Sequence, residues 1–133
     1  MKVLLIRPYN KESFTVVPPL GLGYLATSLR NCGFKVEILD CIKEKIMPEH
    51  LIRLIKKRKA DVLGITVFSS DLIITKEYLK KLKQYNKNII TVIGGPHPSA
   101  LPIECFEFYQ ETLDYAFIGE AEIGLPLLIK KLE

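Results

Sequence analysis

Ile89-Ile90-Thr91-Val92-Ile93-Gly94-Gly95-Pro96-His97-Pro98 is the stretch of sequence that decides the fold. It begins as an apolar, β-branched run without a polar face, which is typical of a strand buried on both sides in a parallel sheet. The two glycines at its end remove side chains where something comes close to the backbone. Because ligands of open α/β sheets bind outside the carboxyl ends of the strands, the stretch predicts a central strand and the floor of a binding site. The alternative is that Gly94-Gly95-Pro96 is only a tight turn.

Strand-like and helix-like segments alternate along the rest of the chain. Further strands are predicted at 3–6, 34–40, 61–67 and 115–118. Helices are predicted at 16–31, from Pro48, from Ser69 onward, at 101–109 and at 123–132. Strict alternation gives a parallel sheet with helices on both faces. We therefore expect residues 1–133 to form one α/β domain, a doubly wound, flavodoxin-like sandwich with strand order 2-1-3-4-5.

Composition narrows the function classes. The chain has 133 residues, 48% of them hydrophobic and 26% charged, with a net charge of +4, as in an ordinary globular domain. No basic stripe with interleaved aromatic residues occurs, which argues against nucleic-acid binding. The N-terminal apolar run is too short for a signal peptide or a membrane span, so we expect a cytoplasmic protein that does not enter a membrane. Cys32, Cys41 and Cys105 have no cluster spacing, so we expect no metal ligands in this chain.

Polar residues collect in the five loops that would share the carboxyl edge of the sheet. The strand order reverses between strands 1 and 3, and ligands enter such crevices. The first loop, 7–19, is long, which is typical of functional loops. Side chains suited to hydrogen-bond a polar ligand at this edge are Tyr9, Asn10, Thr66, Ser69, Ser70, His97, Glu120 and Glu122. His97 is equally compatible with a packing role, and the two glutamates with a helix start. No nucleophile–base pair stands among these residues, so we predict no catalytic residue.

Several common sites are excluded because their motifs are missing. There is no dinucleotide fingerprint after the first strand and no P-loop. The acidic residues of a phospho-receiver domain and the Ser/Thr-rich phosphate loop of a flavodoxin are also missing from their expected positions.

Three motifs nevertheless occur in a familiar order. They are Pro18-Pro19-Leu20-Gly21-Leu22-Gly23-Tyr24-Leu25-Ala26, Gly94-Gly95-Pro96-His97-Pro98 and Gly119-Glu120-Ala121-Glu122. Together they resemble the N-terminal cobalamin-binding domain of cobalamin-dependent radical S-adenosylmethionine enzymes. Members usually carry a glycine where this chain has Ala121.

The resemblance implies a set of cofactor-binding positions. Ser70-Asp71-Leu72 is similar to a Ser-x-Leu signature, by which Ser70 would hydrogen-bond the nucleotide tail of cobalamin. Gly94 and Gly95 would let that tail pass close to the backbone. The resemblance adds these positions to the predicted site: Pro19, Leu20, Gly21, Leu72, Gly94, Gly95, Pro96 and Gly119.

Two features of the wider family have no counterpart here. Loop 7–19 contains no histidine, so no histidine ligand to cobalt is expected. The Gly94-Gly95 pair would make room for a buried nucleotide tail, so cobalamin is expected to bind base-off. The CxxxCxxC of the radical domain is also missing. The iron–sulfur cluster and S-adenosylmethionine are therefore expected in a C-terminal radical S-adenosylmethionine domain outside this chain, which would be its partner. The chain alone would hold cobalamin without being catalytic. A flavin- or nucleotide-binding domain, or an interaction domain without cofactor, remains the alternative.

Overall fold

The centre of the molecule is a five-stranded parallel sheet in the order β2-β1-β3-β4-β5. A computed structural model describes residues 1–12 and 17–133. The strands are β1 (Lys2–Arg7), β2 (Lys35–Asp40), β3 (Val62–Thr66), β4 (Ile90–Gly94) and β5 (Tyr115–Ala116). The predicted α/β class and strand order are therefore confirmed.

Within the described residues, five helices lie between the strands and a sixth follows β5. They are α1 (Leu20–Asn31), α2 (Pro48–Arg58), α3 (Leu72–Tyr85), α4 (Pro96–Ala100), α5 (Pro102–Tyr109) and α6 (Gly124–Leu132), with a 3-10 turn at Ser69–Asp71 before α3. Helices α1 and α6 cover one face of the sheet, whereas α2, α3 and α5 cover the other. None of the helices in 1–12 and 17–133 combines the length and apolar character that crossing a membrane requires.

Strand β1 shows why the central strands read as continuous apolar runs. Val3 and Leu5 pack with α1 and α6, whereas Leu4 and Ile6 pack with α2 and α3. Successive side chains of a strand point to opposite faces, so a strand between two helical layers must be apolar at every position. Strand β2 lies at the sheet edge, and its burial is accordingly weaker toward its N-terminal end.

Proline changes two of the predicted boundaries. The first helix begins at Leu20 with Pro19 as its N-cap, not upstream of both prolines. A residue that precedes proline is disfavoured in helical conformation, which excludes Pro18 from the helix. Val16, where the helix was expected to open, lies outside the described residues. The segment after Gly95, expected to be a loop, forms α4 because Pro96 occupies its first position, where no N–H is needed.

Gly95 has a conformation that suits no other residue. Its φ is +103°, and a Cβ placed on it would lie 2.8 Å from Thr66 Oγ1 and 3.0 Å from the Val67 nitrogen. The turn from β4 into α4 therefore passes directly over the end of β3. A side chain here would meet both backbone strain and a steric clash with main-chain atoms.

We predict that Gly95→Ala lowers the free energy of unfolding by roughly 1–3 kcal/mol because of this strain and clash. The matched control is Gly23→Ala inside α1, where a Cβ meets nothing within 4 Å. That change should raise stability by about 0.5–1 kcal/mol, because alanine favours the helix over glycine. Urea titrations followed by circular dichroism measure both values. A Gly95→Ala protein as stable as wild type would show that a side chain at this position causes neither backbone strain nor a clash.

Candidate functional site

A cleft of about 650 Å³ opens at the carboxyl edge of the sheet, on the face covered by α1 and α6. Its floor is formed by Gly64 and Thr66 of β3 and Gly94 of β4, and its walls by the start of α1 and the segment leading into α6. A second cavity, of about 500 Å³, lies at the opposite edge and is lined largely by lysines and chain ends. Ligands of this sheet type bind at the carboxyl edge, so the larger cleft is the candidate site.

Gly64 and Gly94 contribute no side chain to the floor of the cleft. Gly64 pairs with Leu5 on one side and Val92 on the other, and Thr66 pairs with Gly94. A Cβ at Gly64 would lie 2.9 Å from Leu5 Cδ2, so this position excludes a larger side chain unless Leu5 moves. A Cβ at Gly94 would have only an ordinary contact, 3.9 Å from Phe117 Cβ. The missing side chains leave a slot between the helical layer and the strands.

Gly94 and Gly95 have different structural roles. Both glycines were expected to make room for a ligand, but the space at Gly95 is taken by Thr66 and by the backbone of Val67. The Val67 N–H donates to the Gly94 carbonyl at 2.8 Å. Gly95 lets the chain cross β3, and Gly94 is the one with free space on its Cα.

Ten of the sixteen predicted positions line the cleft. They are Pro19, Leu20, Gly21, Thr66, Gly94, Gly95, Pro96, Gly119, Glu120 and Glu122. Six lie outside its lining: Tyr9, Asn10, Ser69, Ser70, Leu72 and His97. Tyr9 and Leu72 pack against the core on the α2/α3 side instead. The Asn10 side chain accepts a hydrogen bond from the Glu12 N–H at 3.0 Å within its own turn.

The histidine of α4, His97, has a structural partner. His97 is only 8% exposed, and its Nδ1 lies 2.9 Å from Ser69 Oγ. Its backbone N–H donates to the Val67 carbonyl at 3.0 Å. These contacts use one ring nitrogen of His97 and the Ser69 hydroxyl to hold α4 against the start of the 3-10 turn.

The turn after β3 directs its serines away from the cleft. The Phe68 N–H donates to Asp71 Oδ2 at 3.0 Å, and the Asp71 N–H donates to the Phe68 carbonyl at 2.9 Å. Burial raises the pKa of the Asp71 carboxyl, whereas the hydrogen bond from Phe68 lowers it. The closed turn exposes Ser70 and leaves Phe68 in the cleft wall. The hydroxyl that the end of β3 presents to the cleft is therefore that of Thr66.

Sequence reasoning missed several lining residues, including Arg7, Val17, Tyr24, Gly64, Phe68 and Phe117. Gly64 gave a usable signal, since an isolated glycine inside a strand often marks a close approach. Phe117 gave none, because its place in the wall depends on how the loop after β5 returns toward α6.

An ion pair and a hydrogen bond from the same arginine hold Val17, just before α1, at the side of the cleft. Arg7 donates to both carboxylate oxygens of Asp40, from Nε at 2.9 Å and from Nη2 at 2.5 Å. Its remaining terminal nitrogen, Nη1, donates to the Val17 carbonyl at 2.6 Å. Asp40 Oδ1 also accepts the N–H groups of Ile42 and Lys43. Bidentate guanidinium–carboxylate pairs fix geometry well, so Arg7 ties β1, β2 and the approach to α1 together.

Glu122 lines the cleft and carries an unsatisfied acceptor. Its Oε2 is buried and has no hydrogen-bond partner within the described part of the chain. Buried polar atoms are nearly always paired, and an orphaned one in a cleft indicates a missing donor. Glu120, two residues earlier, is exposed at the rim.

The cleft combines a mainly apolar lining with a few polar atoms, the pattern of a small-molecule site. Within residues 1–12 and 17–133, no group of three His, Cys, Asp or Glu side chains is placed to hold a metal ion. The site therefore suits an organic ligand with a flat or slender apolar part and hydrogen-bonding groups at its end.

Comparison with known proteins identifies relatives along almost the whole chain. A family model described as a B12 binding domain matches residues 6–129. An uncharacterised methyltransferase of Pyrococcus horikoshii is 32% identical over 99% of this chain. The chain spans 29% of that relative's length.

Solved structures that share the fold include two enzymes with bound cobalamin. The radical S-adenosylmethionine methyltransferase TsrM from Kitasatospora setae, with cobalamin and a [4Fe-4S] cluster bound, superposes with a TM-score of 0.85 at 24% identity. The match covers 98% of this chain and 24% of TsrM. The cobalamin-dependent S-adenosylmethionine radical enzyme OxsB, with aqua-cobalamin and S-adenosylmethionine bound, also gives 0.85, at 25% identity. Here the match covers 98% of this chain and 18% of OxsB.

We predict that Asp40→Asn lowers the free energy of unfolding by roughly 1.5–3 kcal/mol, the range for hydrogen bonds to a charged group. The control on the same strand is Glu37→Gln, whose ion pairs with Lys2 and Arg58 are more exposed. It should cost at most about 1 kcal/mol. Hydrogen exchange of the Gly23 amide, which donates to the Pro19 carbonyl at 3.1 Å, should also become faster in Asp40→Asn alone. Equal effects of the two substitutions would show that Arg7 does not anchor Val17 and the start of α1.

Proposed function

Because the chain belongs to the B12-binding domain family, we propose that it binds cobalamin in the cleft between α1 and α6. The observation that carries the proposal is the slot over Gly64 and Gly94, next to the unpaired Oε2 of Glu122. Such a slot is what a slender ligand tail requires. The predicted role of the fourth-strand glycine as the floor of the site thus rests on Gly94.

The residues present fit the chemistry of cobalamin. Its nucleotide tail ends in an apolar benzimidazole, which would lie over the glycine floor between the helical layer and the strands. The tail also carries hydroxyl groups, and the corrin ring carries amides. Thr66 and Glu122 would bond to these polar groups, with Glu122 Oε2 accepting the hydrogen bond that it lacks. Pro19, Leu20 and Gly21 would form the opposite wall.

We further propose that cobalamin binds base-off, without a protein histidine on cobalt. A tail lying in the slot cannot fold back beneath the corrin. Neither histidine is suited to replace it, because His50 is exposed on α2 and His97 is buried outside the cleft lining. Once bound, cobalamin would supply a cobalt centre able to accept and pass on a methyl group.

The larger protein is proposed to be a cobalamin-dependent radical S-adenosylmethionine enzyme, with methyl transfer or related radical chemistry. This chain spans less than a third of its curated methyltransferase relative, and the match to OxsB is to part of a longer chain. The cluster and S-adenosylmethionine would belong to a following domain. Apolar side chains around the mouth, including Leu20, Tyr24 and Phe68, are more than half exposed and would contact the corrin or that domain. The chain by itself would be catalytically silent.

We predict that the chain retains hydroxocobalamin near-stoichiometrically through gel filtration, with a shifted visible spectrum, and does not retain flavin mononucleotide. Gly94→Leu should weaken binding roughly fivefold to 150-fold, because overfilling a packed site costs about 1–3 kcal/mol. Gly23→Ala, away from the cleft lining, should bind as wild type does. Retention of the flavin without cobalamin would favour the alternative function, and tight binding by Gly94→Leu would place the site elsewhere.

The base-off proposal predicts the electron paramagnetic resonance spectrum of bound cobalt(II) cobalamin. It should show no nitrogen superhyperfine splitting, and His97→Ala should leave the spectrum unchanged. Free cobalamin at neutral pH provides the base-on reference. Nitrogen splitting that disappears in His97→Ala would identify that histidine as a ligand, and splitting retained in the variant would indicate the base-on form.

A further inference from the structure

Two serines outside the cleft lining hold the loop that carries Glu122. On α4, Ser99 Oγ accepts the Gly119 N–H at 2.9 Å and donates to the Gly95 carbonyl at 2.8 Å. On α1, Ser28 Oγ donates to the carbonyl of Glu122 at 2.5 Å. The loop from Gly119 to Glu122 is therefore fastened at both ends, each time by a side-chain hydroxyl from a different helix.

This loop needs such fasteners because it belongs to no regular element. Strand β5 ends at Ala116 and α6 begins at Gly124. The Phe117 N–H still donates to the Ile93 carbonyl and the Ala121 carbonyl accepts the Leu125 N–H, but neither bond reaches the Gly119 N–H or the Glu122 carbonyl. Gly119 has a φ of +72° and is exposed, which gives the start of the loop wide conformational freedom. Without the serines, the start of this loop and the Glu122 carbonyl would depend on water for their partners.

We infer that Ser28 and Ser99 are positioning residues that fix the Glu122 carboxylate toward the cleft. The inference rests on the proposed cobalamin site, where that carboxylate is the acceptor. Ser99 also joins the turn at Gly95 to the loop at Gly119, so it links the floor of the cleft to its wall. Ser28 joins the same loop to α1, whose first residues form another wall of the cleft. Neither serine touches the ligand; both act through Glu122.

The test is a double-mutant cycle with hydroxocobalamin as the probe, measured by absorbance titration. Ser28→Ala and Ser99→Ala should each weaken binding about threefold to tenfold, the net worth of one hydrogen bond. In a Glu122→Ala background, the same two substitutions should weaken binding no further, because the group that they position is gone. Ser99→Thr, which keeps the hydroxyl, should restore most of the affinity.

Thr27→Ala is the matched control for Ser28→Ala. Thr27 is the neighbouring residue, exposed, and its hydroxyl donates to the Gly23 carbonyl of its own helix at 3.0 Å. The Thr27→Ala variant should bind cobalamin as wild type does. Hydrogen exchange on the ligand-free proteins provides a second readout: the Gly119 amide should exchange faster in Ser99→Ala, and circular dichroism should be unchanged.

The outcomes separate this inference from the function on which it rests. Wild-type protein that fails to bind cobalamin would overturn both. Wild-type binding that is lost in Gly94→Leu but unaltered by the serine substitutions would overturn the positioning role alone. Serine effects of the same size with and without Glu122 would also overturn it, because the hydroxyls would then act by another route.

Discussion

The crossing of the chain over the end of β3 at Gly95 is the contact on which the rest of the cleft depends. Val67 donates its N–H to the carbonyl of Gly94 and accepts the N–H of His97, so the turn is fastened on both sides of Gly95. This arrangement starts α4 directly above the sheet edge. It leaves Gly94 open to the cleft and brings Ser99 to the loop at Gly119. The floor and one wall of the site thus follow from one close approach between main chains.

The two faces of the sheet are used differently. The face under α2, α3 and α5 is filled by large side chains, among them Tyr78 and Tyr109, which are almost completely buried. The other face lacks side chains at Gly64 and Gly94, and at Gly94 a larger apolar residue would have stabilised the sheet by burying more surface. The well-packed face under α2, α3 and α5 therefore stabilises a sheet whose other face contains the cleft. The proposed ligand would restore the missing contacts on binding.

The fold was predictable because its pattern is local, whereas much of the site was not. Apolar strands alternating with helices are visible in the sequence, as is the strand that stops at Gly94. The function of Gly95 was not visible, since its clash is with Thr66 and Val67, twenty-eight or more residues away. The resemblance pointed to Ser70 as the hydroxyl at the site. The turn closed by Asp71 exposes Ser70, and Thr66 takes the place at the cleft. The isolated glycine at position 64, inside a strand, was the sequence feature that could have indicated the floor of the cleft.

A crystal structure of the chain with hydroxocobalamin, with cobalt located by anomalous scattering, is the most direct test of the cleft as a cobalamin site. We predict density for the benzimidazole over Gly64 and Gly94, a hydrogen bond from the cofactor to Glu122, and no protein nitrogen on cobalt. Cobalamin seated away from this cleft, for example in the lysine-lined cavity at the opposite edge, would contradict the account. Cobalamin held with its own base still on the metal would contradict it as well.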